Sequence, residues 1–179
     1  MAQRKSKLYD RDNLFNFALR SLGGRAYSIG EIREKLKRRA QNVADVDAVI
    51  ARLKEAGYLD DRRFAESFAA ARLENQGLGR MRVARDLRQR RVAPALAEQV
   101  TDQTYRSTDE AELIQAFLER KYRGKELKRF LAEEKNLAAA YRRLRYAGFS
   151  PGASIRVLKR YADQAAELES EPDESEADS

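Results

Sequence analysis

Apolar residues in this chain recur every three or four positions, in short runs that repeatedly stop at glycine. Leu14, Ala18 and Leu22 share one stripe, with Phe15 and Leu19 beside it, and Gly23-Gly24 follow. Ile29, Ile32 and Leu36 form a second stripe. Val46, Val49, Ile50 and Leu53 form a third, which stops at Gly57. Apolar positions at a 3.6-residue period define helices with one buried face. Runs this short, cut off by helix breakers, predict small helical units with slender cores. Proline is rare, at 3 residues, which fits helices better than a turn-rich β fold. The plan then recurs. Phe17 aligns with Phe68, Leu22 with Leu73, Ser28 with Gly79, Ile32 with Val83 and Leu36 with Leu87, at a constant offset of 51. A fixed offset of this size marks a duplicated supersecondary unit.

Start and stop signals divide the chain further. Asp10 or Asp12 opens the first helix. Ser28-Ile29-Gly30-Glu31 has the form of a capping box, in which hydroxyl and carboxylate satisfy reciprocal backbone donors. Asp45 is the expected cap of the third helix and Asp60 that of the fourth. Leu59 and Phe64 then hold the two positions of a hydrophobic staple. Phe64 and Phe68 stand one turn apart with Ala65 and Ala69 beside them. Gly77 and Gly79 break that helix, and the next one places Val83, Ala84 and Leu87 on one face, opposite Arg82, Arg85 and Gln89. Pro94 suits a first helical turn ahead of Leu96 and Val100. Ser107-Thr108-Asp109-Glu110 reads as another capping box, before Leu113, Ile114, Phe117 and Leu118. Tyr122-Arg123-Gly124 ends that helix, and residues 123–135 read as a loop or a helix extension. Residues 137–147 form a helix with Tyr141 and Leu144 inward, closed by Gly148. Ser150 caps a last helix with Pro151 at its first position and Ile155 and Leu158 inward. The expected fold is all-α: an elongated array of tandem three-helix repeats over residues 10–57, 58–105 and 106–162. A disordered basic segment, residues 1–9, precedes it, and an acidic disordered tail, residues 163–179, follows.

The net charge is +7, unevenly distributed. Residues 167–179 carry seven carboxylates and no cation, so the remainder holds 36 basic against 22 acidic residues, or +14. Such an excess favours a polyanion or a carboxylate-rich protein surface, although solvated basic helix faces would look the same. The tail reads as a solubilising segment, or more sharply as one that folds back on the basic faces and competes with the polyanion. Cys and His are both absent. That removes disulfides, thiolate chemistry, the usual zinc ligands and histidine acid–base catalysis. No cofactor, metal or catalytic residue is therefore expected. The polar, basic first residues carry no apolar run, so no secretory signal is expected, and no stretch is apolar enough to span a bilayer.

Gly77-Leu78-Gly79-Arg80 resembles a phosphate loop only superficially. It lacks the Lys-Ser/Thr pair and a preceding strand, and reads as a tight turn. Asp60 and Asp61 are explained by helix capping rather than by carboxylate chemistry. The aromatic residues Phe15, Phe17, Phe64, Phe68, Phe117, Tyr141 and Phe149 fall on apolar stripes and read as core. The docking candidates are basic and sit on corresponding helices of the three repeats. They are Lys35, Lys37, Arg38 and Arg39; then Arg80, Arg82, Arg85, Arg88, Arg90 and Arg91; then Arg142, Arg143 and Arg145. Arginine suits either carboxylates or phosphates because its planar fork bonds both in bidentate fashion.

The stretch over residues 57–91 resembles the RecX family, bacterial regulators of the RecA recombinase. The family's Gly-x-Leu-x-Asp-x-x-Phe-Ala junction stands here as Gly57, Leu59, Asp61, Phe64 and Ala65. Its Gly-x-Gly-Arg turn stands as Gly77, Gly79 and Arg80, and its leucine with a following basic cluster as residues 87–91. The resemblance implies a cytoplasmic, monomeric, all-helical protein without enzymatic activity. Its implied role is to bind in the groove of a RecA filament and repress recombinase activity, with single- and double-stranded DNA as further partners. The rival readings are a stand-alone protein that binds nucleic acid without sequence preference, and a structural scaffold.

Overall fold

The computed structural model describes residues 8–162. The expectations for residues 1–7 and for the acidic tail lie outside the described residues. Ten helices follow in order: α1 (Arg11–Leu22), α2 (Ile29–Lys37), α3 (Ala44–Glu55), α4 (Asp61–Gln76), α5 (Arg80–Gln89), α6 (Pro94–Tyr105), α7 (Glu110–Lys121), α8 (Leu127–Leu131), α9 (Glu134–Tyr146) and α10 (Pro151–Leu158). Among the described residues the β pairing is a single bridge, Tyr9 with Ala40. Tyr9, assigned from sequence to the N-terminal tail, donates its N–H to the Arg39 carbonyl at 2.7 Å and accepts from Gln41 N–H at 2.9 Å. Its ring also packs on Phe17, which gives this short segment a reason to be ordered. The described chain forms two compact units, residues 8–68 with 86–100 and residues 69–85 with 101–162.

In the first unit α1, α2 and α3 pack pairwise. Their predicted stripes meet: Leu14, Ala18, Ile32, Leu36, Val46, Val49, Ile50 and Leu53 are buried in one cluster with Leu59. Burying one such large aliphatic side chain contributes about 1.5–3 kcal/mol, so these few positions carry most of the drive to fold. Asp10 caps α1 by accepting from Asn13 N–H, and the Ser28–Glu31 capping box is complete. Asp45 does not cap α3. Asn42 accepts from Ala44 N–H at 3.1 Å, an Asx turn that starts the helix two residues earlier. Asp45 is thereby placed in the first turn, where it pairs with Arg11 at 3.2 Å. Past α3, Gly57 takes φ 73°. Its N–H bonds the Lys54 carbonyl, and Tyr58 N–H bonds that of Leu53. That double closure is the Schellman arrangement. Asp60 then accepts from Arg62 and Arg63 N–H, and the staple residues Leu59 and Phe64 are both buried.

In the second unit α10 packs on α7 and α9, and α8 packs on α9. Phe149, Ile114, Leu118, Leu131, Leu137, Leu144 and Leu158 are fully buried there, with Phe117 and Tyr141 half-buried against them. Ser107 is not the cap of α7. The Asp109 carboxylate lies nearer and accepts from Ala111 and Glu112 N–H. Glu110, the expected reciprocal partner, accepts from Ser150 N–H and Oγ instead, both at 2.7 Å. Residues 123–135 are not one loop or one extension: a short helix, α8, interrupts them. Gly124, at φ 83°, breaks the chain, and Glu126 caps α8 by accepting from Lys128 and Arg129 N–H. Four helices therefore lie within residues 106–162.

Candidate functional site

Within the second unit the turn before α5 is fixed on every side. Gly77 takes φ 55°. The Gln76 carbonyl accepts from Arg120, and the Leu78 carbonyl accepts from the Tyr105 hydroxyl at 2.6 Å. Burial pushes the Tyr105 hydroxyl well up, so it remains a donor. Gly79 N–H bonds the Ala147 carbonyl at 2.8 Å, and Met81 N–H bonds that of Gly148 at 3.2 Å. Two N–H groups that a phosphate loop would offer to an anion are thus given to protein carbonyls. A Cβ at Gly79 would come within 2.6 Å of Phe149 N, so only glycine permits this approach.

That approach sets the positions of the arginines. Arg82 donates to the Tyr146 carbonyl at 3.3 Å, and its guanidinium lies 4.6 Å from the centre of the Tyr146 ring. Arg85 lies 5.9 Å from the same ring. Arg142 and Arg143 stand one turn before Tyr146 and are exposed; Arg143 also donates to the Tyr122 hydroxyl at 3.1 Å. Arg145 turns inward and donates to the Phe149 carbonyl at 2.5 Å, while Arg80 pairs with Asp102. The structure therefore gathers Arg82 and Arg85 at the end of α9 and gives Arg80 and Arg145 structural bonds.

The first unit treats its basic residues as unequally. Lys35 donates to the Tyr27 hydroxyl at 3.1 Å and, with Arg39, lies near the Phe17 ring. Lys37 pairs with Glu34, Arg38 is exposed, and Arg88 pairs with Glu98 at 2.5 Å across an exposed surface. Arg90 points inward. It bonds the Glu31 carboxylate at 2.6 and 3.0 Å and the Ala26 carbonyl at 3.1 Å, and lies 5.1 Å from the Phe64 ring centre. Burial by itself would raise Glu31. Bonds from Arg90, Ser28 N–H and Arg25 outweigh it and hold the carboxyl below its ordinary value. The Ser28 hydroxyl donates to the Arg90 carbonyl. Arg91 adopts φ 61°, rare for a side-chain-bearing residue, and its carbonyl lies only 2.7 Å from where a Cβ of Gly30 would stand. Arg90 and Arg91 thus join the start of α2 to the end of α5. The second unit makes the same joint with the start of α5 and the end of α9.

The junction residues are structural in the same sense. Asp61 accepts from Ile29 N–H at 2.8 Å, satisfying the first donor of α2. Burial, helped by the charge of Asp60, raises its carboxyl despite that bond. Gly57 and Phe64 line an open groove of about 940 Å³ together with Leu22, Tyr58, Phe68 and Arg63. Sequence reasoning missed the roles of Tyr146, Tyr105 and Arg120, and gave Glu31 its part in the capping box but not its bond to Arg90. Tyr146 alone left a signal, since it lies off the apolar stripe of Leu137, Ala140 and Leu144 and ends a basic run. Among the described residues no group of His, Cys, Asp or Glu is placed to hold a metal, and no helix is long and apolar enough to cross a membrane.

Fold and surface define a class: an all-helical protein of short helices, several of which present arginine and lysine. Two family models match, the first three-helix domain of RecX at residues 15–53 and the second three-helix domain of RecX at residues 60–100. The Regulatory protein RecX of Trichlorobacter lovleyi is 36% identical over 107 residues, covering 60% of this chain and 70% of that protein. That of Vibrio parahaemolyticus is 32% identical over 133 residues, covering 74% and 81%. The crystal structure of RecX from Lactobacillus salivarius superposes with a TM-score of 0.64 over 84% of this chain and 96% of that one, at 15% identity, a likeness of fold. The chain belongs to the RecX family of regulatory proteins.

Proposed function

We propose that this chain binds a RecA–DNA filament and mainly inhibits recombinase activity, acting as a cytoplasmic monomer without a cofactor. The reading rests on family membership joined to one observation: corresponding helices α2, α5 and α9 each carry basic residues that reach the surface, Lys37 and Arg38, Arg88, and Arg142 and Arg143. A filament offers both phosphates and protein carboxylates to such groups. Binding along it hinders growth and turnover and occludes a second DNA, a steric effect that needs no catalytic residue.

Co-sedimentation separates this reading from a stand-alone nucleic-acid binder. At physiological salt the protein should pellet with RecA filaments far more than with bare single-stranded DNA. Replacing Arg82, Arg85 and Arg88 together by Ala should leave helix content intact, because Ala is the best helix former, while weakening filament inhibition and lowering the salt dependence of DNA binding. Equal pelleting with bare DNA would replace the proposal with its rival, and undiminished inhibition by the triple variant would remove α5 from the interface.

A further inference from the structure

Five large apolar side chains are exposed among the described residues: Leu8, Val43, Tyr58, Met81 and Tyr146. Single exposed apolar groups are ordinary. Two of these, however, occupy one junction in the second unit, since Met81 N–H bonds the Gly148 carbonyl two residues past Tyr146. Tyr146 is the most exposed of the five, at 69%. Its ring is oriented, with the Arg82 guanidinium 4.6 Å and that of Arg85 5.9 Å from its centre. Guanidinium groups near the ring restrain it by cation–π attraction, and most of the side chain remains open to solvent. The sequence of α9 and α10 is one-sided in charge. From residue 135 to residue 162 the sequence has seven cations (Lys135, Arg142, Arg143, Arg145, Arg156, Lys159 and Arg160) and no Asp or Glu.

We infer that Tyr146 is a base-stacking platform for single-stranded nucleic acid, with Arg82, Arg85 and Arg142 taking the flanking phosphates. An oriented, open aromatic face within a field of arginines is the combination that single-strand binding requires. The ring takes any base, because every base has a π-face, and the cations follow the backbone. A carboxylate-bearing protein surface would also use the arginines and the ring, and the test below separates the two. The inference goes beyond filament docking, because it assigns a contact to bases that holds without recombinase present.

The test uses the full-length protein, a fluorescent oligothymidylate, and an abasic strand of equal length that keeps the phosphates and lacks the bases. Anisotropy titrations at low salt should show Tyr146→Ala binding oligothymidylate about 5- to 150-fold more weakly than wild type, the range expected for loss of one stacked base. Tyr146→Phe should bind like wild type. Affinity for the abasic strand should not change in either variant. Thermal melts of both variants should overlay wild type, since the side chain is exposed. Unchanged oligothymidylate binding by Tyr146→Ala overturns the inference, as does an equal loss on the abasic strand, which would make the effect purely electrostatic. Loss of RecA-filament binding with intact binding to the bare oligonucleotide would assign Tyr146 to a protein partner instead and leave the filament proposal standing.

Discussion

Substituting Gly148 by Ala tests whether the close approach of α5 and α9 is real. Two terms oppose the substitution. Gly148 takes φ 89°, and a left-handed backbone costs an L-residue about 1–2 kcal/mol. Ala regains about 0.4–1 kcal/mol by restricting the unfolded chain. The second term is steric. The added Cβ would stand 2.8 Å from Arg82 Cα and closer still to Arg82 N and Cβ. Those atoms belong to a helix and cannot swing away, and forcing extra volume into such a contact costs about 1–3 kcal/mol. The total is a loss of about 1–4.6 kcal/mol. Gly124 supplies the control in the same unit. It takes φ 83°, but a Cβ there meets nothing within 4 Å, so Gly124→Ala should lose only about 0–1.6 kcal/mol. Urea unfolding followed by circular dichroism at constant m-value measures both. The difference between the two variants isolates the contact. Equal midpoints for Gly148→Ala and Gly124→Ala would refute the interpenetration of α5 and α9, and with it the geometric basis for placing Arg82 over Tyr146.

Phe64→Ala should cost about 3–5 kcal/mol in urea unfolding, because this ring is buried and stacks on Phe68 at 6.0 Å; an unchanged midpoint would take it out of the core. Glu31, held below its ordinary carboxyl value, contributes stability that is fully present above its unfolded value of about 4.3 and fades as pH falls through the lower folded one. Thermal melts of wild type and Glu31→Gln should therefore differ at neutral pH and converge in acid; a gap that stays constant through the acid range would contradict the Arg90–Glu31 account.

Much of the fold was legible in the sequence because it depends on local rules. Helical period, capping boxes, and glycine past a helix end each act within about one turn, so Ser28, Gly57, Asp60, Pro94 and Ser150 could be placed correctly. The errors arose where two local groups compete or where a distant one intervenes. Asn42 outcompeted Asp45, and Ser150 drew Glu110 away from a capping box. The surface was harder to read. Composition showed an excess of arginine but not its division into exposed residues such as Arg38 and inward ones such as Arg90, because the place of Arg90 depends on Glu31, 59 positions away.

The joint that Arg90 and Arg91 make with Ser28 and Gly30 recurs when Ala147 and Gly148 meet Gly79 and Met81. In each unit the contact ties the start of one basic helix to the end of another, a coupling between neighbouring helices that acts within that unit. Each link carries its own free energy, so damage to one should stay where it is made. Hydrogen exchange in α2 should rise when Ser28 is lost, while α9 remains protected. A joint confined to its own unit also confines the effect of a substitution, so one basic helix can change without disturbing the other.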